Sequence, residues 1–90
     1  MKKMFLSIVI PSYNEEENLK KGVLDQVRLY LTRQDYSWEV IISDDGSSDN
    51  TRTLVKEKIK NFQNFRLLKN SHRGKPSALQ HGINAASGEY

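Results

Sequence analysis

Ninety residues suffice for one small domain. The absence of cysteine excludes a disulfide framework and a Cys-based metal site. A net charge of +3, scattered over predicted helix faces and gathered only at Lys69 to Lys75, lacks the dense basic stripe with interleaved aromatics of a nucleic-acid binder.

The first apolar run, Phe5 to Ile10 broken by Ser7, is too short to span a bilayer. Met1-Lys2-Lys3 opens like a signal peptide, but no apolar segment with a small-residue cleavage site follows. The run reads instead as a strand over Phe5–Pro11, with Leu6, Ile8, Val9 and Ile10 as its core. Pro11, lacking an N–H, is expected to end the pairing. A helix is predicted over Glu15–Thr32. Asn14 is its expected N-cap, Glu17 completes an arrangement like a capping box, and Leu19, Val23, Val27, Tyr30 and Leu31 form its apolar face.

Trp38–Ser43 reads as the second strand. Its β-branched run, Val40-Ile41-Ile42, suits burial on both faces. The run stops at Asp44-Asp45-Gly46, where glycine permits a sharp turn. A second helix is predicted over Asp49–Asn61, with Leu54, Val55, Ile59 and Phe62 facing the sheet. Phe65–Leu68 reads as a short third strand and Lys75–Ser87 as a third helix. Pro76 suits that helix's first turn, Leu79, Ile83 and Ala86 its inner face, and Gly88 its C-terminal cap. Strands joined by helical crossovers are parallel and right-handed. The expected fold is therefore α/β: three parallel strands with intervening helices, ordered 3-2-1, half of a doubly wound sheet. The first strand is its open edge, and Glu89-Tyr90 reads as the approach to a fourth strand. Residues 1–90 read as the N-terminal piece of a larger protein, with marginal stability or self-association through the open edge expected of the piece alone.

Three loops are expected at the C-terminal edge of this sheet, where open α/β sheets bind ligands. They are Pro11-Ser12-Tyr13-Asn14-Glu15, Asp44-Asp45-Gly46 and Asn70-Ser71-His72-Arg73-Gly74-Lys75. Neither G-x-G-x-x-G nor G-x-x-x-x-G-K-[ST] occurs. The first helix opens with Glu15-Glu16-Glu17, which would repel a phosphate there. Acids in the first two loops suit donors such as a nucleobase imide and ribose hydroxyls. Tyr13 can stack on a base. Arg73 and Lys75 suit an anion such as a diphosphate.

Each residue also has a plainer reading. Tyr13 could be core, Asp44 and Asp45 turn acids, Glu16 and Glu17 helix stabilisers, Asp49 a cap, and Arg73 and Lys75 surface charge. His72 and His81 lack partners at metal spacing and read as solvated.

Ser7-Ile8-Val9-Ile10-Pro11-Ser12-Tyr13-Asn14-Glu15-Glu16, Val40 to Asp49, and Gly74-Lys75…Gly82…Ala86-Ser87-Gly88-Glu89-Tyr90 together resemble the start of family 2 glycosyltransferases, which have the Rossmann-like GT-A fold. The Glu15-Glu16-Glu17-Asn18-Leu19 run is most similar to the branch that moves a sugar onto a polyprenyl phosphate. Pro76 departs from the small residue that many of that branch carry. The resemblance implies a UDP- or GDP-linked sugar donor and transfer with inversion to a polyprenyl phosphate or a polysaccharide acceptor, in cell-envelope polysaccharide synthesis. Pro11, Tyr13 and Glu15 would line the base and ribose pocket, Asp44 would hydrogen-bond the base, and Lys75 would lie near the nucleotide. It also implies Mg²⁺ or Mn²⁺ held by a D-x-D motif beyond Tyr90, a later acid as base, and a site in the cytoplasm or at the cytoplasmic face of a membrane. Residues 1–90 are then expected to hold neither metal nor catalytic base and to be inactive alone. A different class, a non-catalytic nucleotide-binding or protein-interaction module on the same half-fold, would lack the D-x-D. No nucleic-acid partner is expected.

Overall fold

A computed structural model describes residues 5–71 and 75–88, with the side chains of 75–78 not among those described. Strands β1 (Phe5–Ser12), β2 (Ser37–Asp44) and β3 (Phe65–Lys69) form one sheet in the order β1-β2-β3. Both pairings are parallel. The expected topology is borne out, with β1 at an edge.

Pro11 does not end β1, which continues one residue further to pair Ser12 with Asp44. The N–H and C=O of one strand residue point the same way. The carbonyl of Ser12 accepts from the N–H of Asp45 at 2.8 Å. Pro11 therefore turns its missing donor toward the open edge, where no ladder bond is lost.

The predicted first helix is two helices, α1 (Glu16–Lys20) and α2 (Val23–Thr32). Gly22, at φ 87°, takes a left-handed conformation between them. The break resets the helical phase. Leu19, Leu24 and Leu31 are buried, whereas Val23 is exposed and Tyr30 is 62% exposed, against expectation. Asn14 is not the N-cap. Glu15 holds that position without a side-chain capping bond, so the expected capping box does not form.

Helix α3 (Thr51–Ile59) starts two residues later than predicted. Asn50 holds the N-cap position without a side-chain bond, and Asp49, one residue earlier, accepts from the Thr51 N–H at 2.9 Å. Val55 is buried, and Leu54, Ile59 and Phe62 pack against the core as predicted. Helix α4 (Lys75–Ala85) ends before Ser87. Its inner face is centred on buried Gly82, and Ile83 is 57% exposed. A Cβ on Gly82 would come within 2.2 Å of Val9 Cγ1, so only glycine lets the helix lie this close to the sheet. Gly88 is not a left-handed cap; it lies against Ser7 instead.

The sheet's pleat divides the protein. Ile8, Ile10, Val40, Ile42, Phe65 and Leu67 build the core beneath α1, α2 and α3. Val9 and Ser43 lie beneath α4 with Gly82. Burial of the first set, at about 25 cal/mol per Å² of apolar surface, is the main stabilising term.

Candidate functional site

The first two predicted loops and the start of the third, Asn70-Ser71, meet at the C-terminal edge. Two backbone bonds knit their bases together: Asp45 N–H to Ser12 C=O at 2.8 Å, and Asn70 N–H to Asp44 C=O at 2.9 Å.

Asp44 is the hub. Alternation along β2 turns its side chain toward α3, and it is 0% exposed. Oδ1 accepts from Ser12 Oγ at 3.0 Å and from Ser47 Oγ at 2.5 Å. Oδ2 accepts from Ser47 N–H at 2.9 Å and from Arg52 Nε at 2.6 Å. Burial acts to raise this carboxyl. The bonds from Ser47, Arg52 and Ser12 outweigh it and hold Asp44 below the ordinary aspartate range. The Asp44 oxygens thus accept from the protein's own donors, as those of a turn acid do. Asp45 is also buried.

Arg52 extends the hub to the third loop, with Nη2 donating to Asn70 C=O at 2.6 Å. The Asn70 side chain in turn donates to Ser43 Oγ at 2.9 Å. The first and second loops are joined by Asn14, whose φ of 52° is a left-handed conformation that asparagine tolerates. Its N–H donates to Ser47 Oγ at 3.0 Å, and its Oδ1 accepts from the N–H groups of Ser48 and Asp49 at 2.9 and 3.4 Å. The Glu15 N–H donates to buried Thr51 Oγ1 at 2.8 Å.

Of the candidate binding residues, Pro11 and Glu15 line one depression of about 230 Å³ between β1 and α1. The Glu15 carboxylate accepts from Asn18 at 2.6 Å. Tyr13 is 42% exposed, a surface residue rather than core. Glu16 accepts from the Asn50 N–H and pairs with Lys20 at 3.0 Å, in keeping with a helix-stabilising role. His72 and Arg73 lie outside the described residues, as does the Lys75 side chain. Among the described residues, no group of three or more His, Asp or Glu is placed to hold a metal ion. No described helix is long and apolar enough to cross a membrane.

Ser12, Asn14, Thr51, Arg52 and Asn70 carried no site role in the sequence reading. Arg52 did leave a signal. A cation in the first turn of a helix opposes the dipole and calls for an anionic partner nearby.

A parallel α/β sheet with acid-rich loops knitted at its carboxyl edge is half of a doubly wound fold, in which ligands bind at the carboxyl ends of the strands. Residues 7–90 match the profile described as Glycosyl transferase family 2, and the chain belongs to that family. A dolichyl-phosphate beta-glucosyltransferase of Saccharomyces cerevisiae is 39% identical over 97% of this chain and 28% of its own length. An undecaprenyl-phosphate 4-deoxy-4-formamido-L-arabinose transferase of Proteus mirabilis is 35% identical over 93% of this chain and 26% of its own length. Among solved structures, the mannosyltransferase PcManGT from Pyrobaculum calidifontis, in complex with GDP-Man and Mn²⁺, superposes with a TM-score of 0.78 at 27% identity, over 99% of this chain and 26% of that one. The chain thus spans between a quarter and a third of the relatives it matches.

Proposed function

We propose that this chain is the nucleotide-binding part of an inverting glycosyltransferase that takes a sugar from a UDP- or GDP-linked donor. A polyprenyl phosphate is the favoured acceptor class, since the relatives named above are a dolichyl-phosphate and an undecaprenyl-phosphate transferase. The observation that carries the reading is the joining of the first two family motifs and the start of the third loop, at Asn70, at one sheet edge through the Asp44 hub. Work at the cytoplasmic face of a membrane, in cell-envelope polysaccharide synthesis, follows from the same acceptor class.

Pro11, Tyr13 and Glu15 line the base and ribose pocket, Tyr13 by stacking on the base, and Lys75 is the cation for the nucleotide. Asp44 acts by holding Ser12, Ser47 and Arg52 in place. Its oxygens already accept four bonds from Ser12, Ser47 and Arg52, so Asp44 shapes the base pocket from within the fold. The PcManGT complex names Mn²⁺. The described residues do not fit such an ion, and none is assigned to it or to a catalytic base. Mg²⁺ or Mn²⁺ belongs to the full-length enzyme. The alternative module on the same fold would bind nucleotide without transferring sugar.

Calorimetric titration of the full-length protein with UDP and GDP tests this. Tyr13→Ala should weaken binding by about 1–3 kcal/mol, the worth of one base–aromatic stack. Failure of the wild type to bind either nucleotide would sink the reading. Ultracentrifugation of residues 1–90 alone tests self-association through the β1 edge.

A further inference from the structure

At the opposite end of the sheet from the loops, Glu39 of β2 lies beside Ser7 of β1. Its side chain is 13% exposed. One oxygen, Oε2, accepts from Ser7 Oγ at 2.6 Å, from Ser87 N–H at 2.8 Å and from Ser87 Oγ at 3.0 Å. Ser7 Oγ passes the connection on by accepting from Gly88 N–H at 2.8 Å. A Cβ on Gly88 would stand 2.3 Å from Ser7 Oγ and 2.8 Å from Ser7 N, so the contact admits no larger residue. From β3, Arg66 lies 3.6 Å from Glu39 Oε1 and donates to the Ala85 carbonyl at the end of α4.

Residues of all three strands therefore converge on the segment that closes α4. The helix is gripped at a second level by Gly82 on Val9 and Ser43. From Gly82 to Gly88 the chain moves from Val9 and Ser43 toward Ser7 and Glu39, antiparallel to the strands. Seven residues back from Gly82, about 10 Å along the axis, Lys75 opens the helix at the carboxyl edge of the sheet. A helix held at its tail by directional bonds, and in its middle by a contact with no spare room, has its axial position fixed.

We propose that Glu39 is a positioning residue that sets α4 along its axis, and thereby sets the height at which the first turn of α4 meets the cleft. Its effect on ligand binding rests on the nucleotide-site reading above. Its effect on the helix does not. The chemistry suits the task. A carboxylate accepts several bonds on one oxygen, and bonds to a charged acceptor are the stronger ones.

The test uses the full-length protein with Glu39→Ala, Glu39→Gln and Ser7→Ala. It reads backbone amide exchange along α4 together with UDP and GDP affinity, well below the melting temperature. Glu39→Ala is expected to speed exchange at Ser87 and Gly88 and also in the first turn of α4. It should weaken nucleotide binding about two- to thirtyfold, the range for substitutions acting through packed elements. Glu39→Gln, which keeps an accepting oxygen for Ser87, should recover most of both. Ser7→Ala, which leaves the Ser87 bonds, should give an intermediate result and serves if Glu39→Ala does not fold. Exchange that changes only at Ser87 and Gly88, with affinity unchanged, overturns the proposal. If the wild type binds no nucleotide, the site reading falls, and exchange in the first turn of α4 still decides the role of Glu39.

Discussion

Asp44 and Glu39 belong to the same strand, stand on opposite faces of the sheet, and are both sunk in hydrogen bonds. Asp44 is fully enclosed, and its donors are two serines and an arginine bonded directly at 2.6 Å. Glu39 keeps some exposure, and its arginine stands off at 3.6 Å. The Asp44 cluster ties loop to loop; the Glu39 cluster ties helix to sheet. The first thus sets the shape of the candidate site locally, and the second sets one of its walls from a distance. A buried carboxylate with several donors is a joint between elements, and its place in the fold decides what it joins.

The largest effect expected is from Asp44→Ala. It leaves Arg52 facing a vacated partner and strips Ser12 and Ser47 of their acceptor. Removing one member of a buried pair costs roughly 3–5 kcal/mol. Urea denaturation of the full-length protein should show the loss. A variant that melts like wild type but no longer binds nucleotide would instead make Asp44 a ligand-contacting residue.

Gly82→Ala comes next, at about 1–3 kcal/mol for overpacking against Val9. Val9→Ala in the same chain should restore part of the loss by opening the space that the new methyl needs. No recovery in the double variant would mean that α4 is held away from β1 by something other than this contact.

Asp49→Ala removes the acceptor for Thr51 and should cost about 1 kcal/mol, with nucleotide affinity nearly unchanged. Smaller still is Asp25→Ala. It breaks an exposed pair with Lys58 worth at most about 1 kcal/mol, and serves as a surface control for all the others.

The two carboxylates also predict an acid limb. Burial acts to raise Glu39, and the bonds from Ser7 and Ser87 and the charge of Arg66 more than offset it. Both groups are thus lowered on folding. The stability they contribute is present above their unfolded values, near pH 4, and is lost as pH falls through their folded values. Stability measured against pH should decline more gently in Glu39→Gln than in wild type. An identical slope would mean that the Glu39 carboxyl is not shifted on folding.

The three strands, their parallel order and the edge at which the loops gather could all be read from the sequence. Each rests on a local pattern, β-branched runs ending in turn residues and spaced by helical periodicity, that few tertiary contacts can override. The ordered motifs fixed the family for the same reason. What escaped the sequence was set by contacts between distant segments. Gly22 broke a helix whose apolar spacing looked continuous, because a left-handed residue leaves periodicity intact while turning the face. Asn14 was a good cap by type, and became instead the bridge to Ser48 and Asp49, more than thirty residues away. The pair Asp44-Asp45 announced a site, yet no pattern told which of the two would face α3. That was decided by the pleat of β2 and by Arg52, whose guanidinium reaches Asp44 only once α3 has folded back over the sheet.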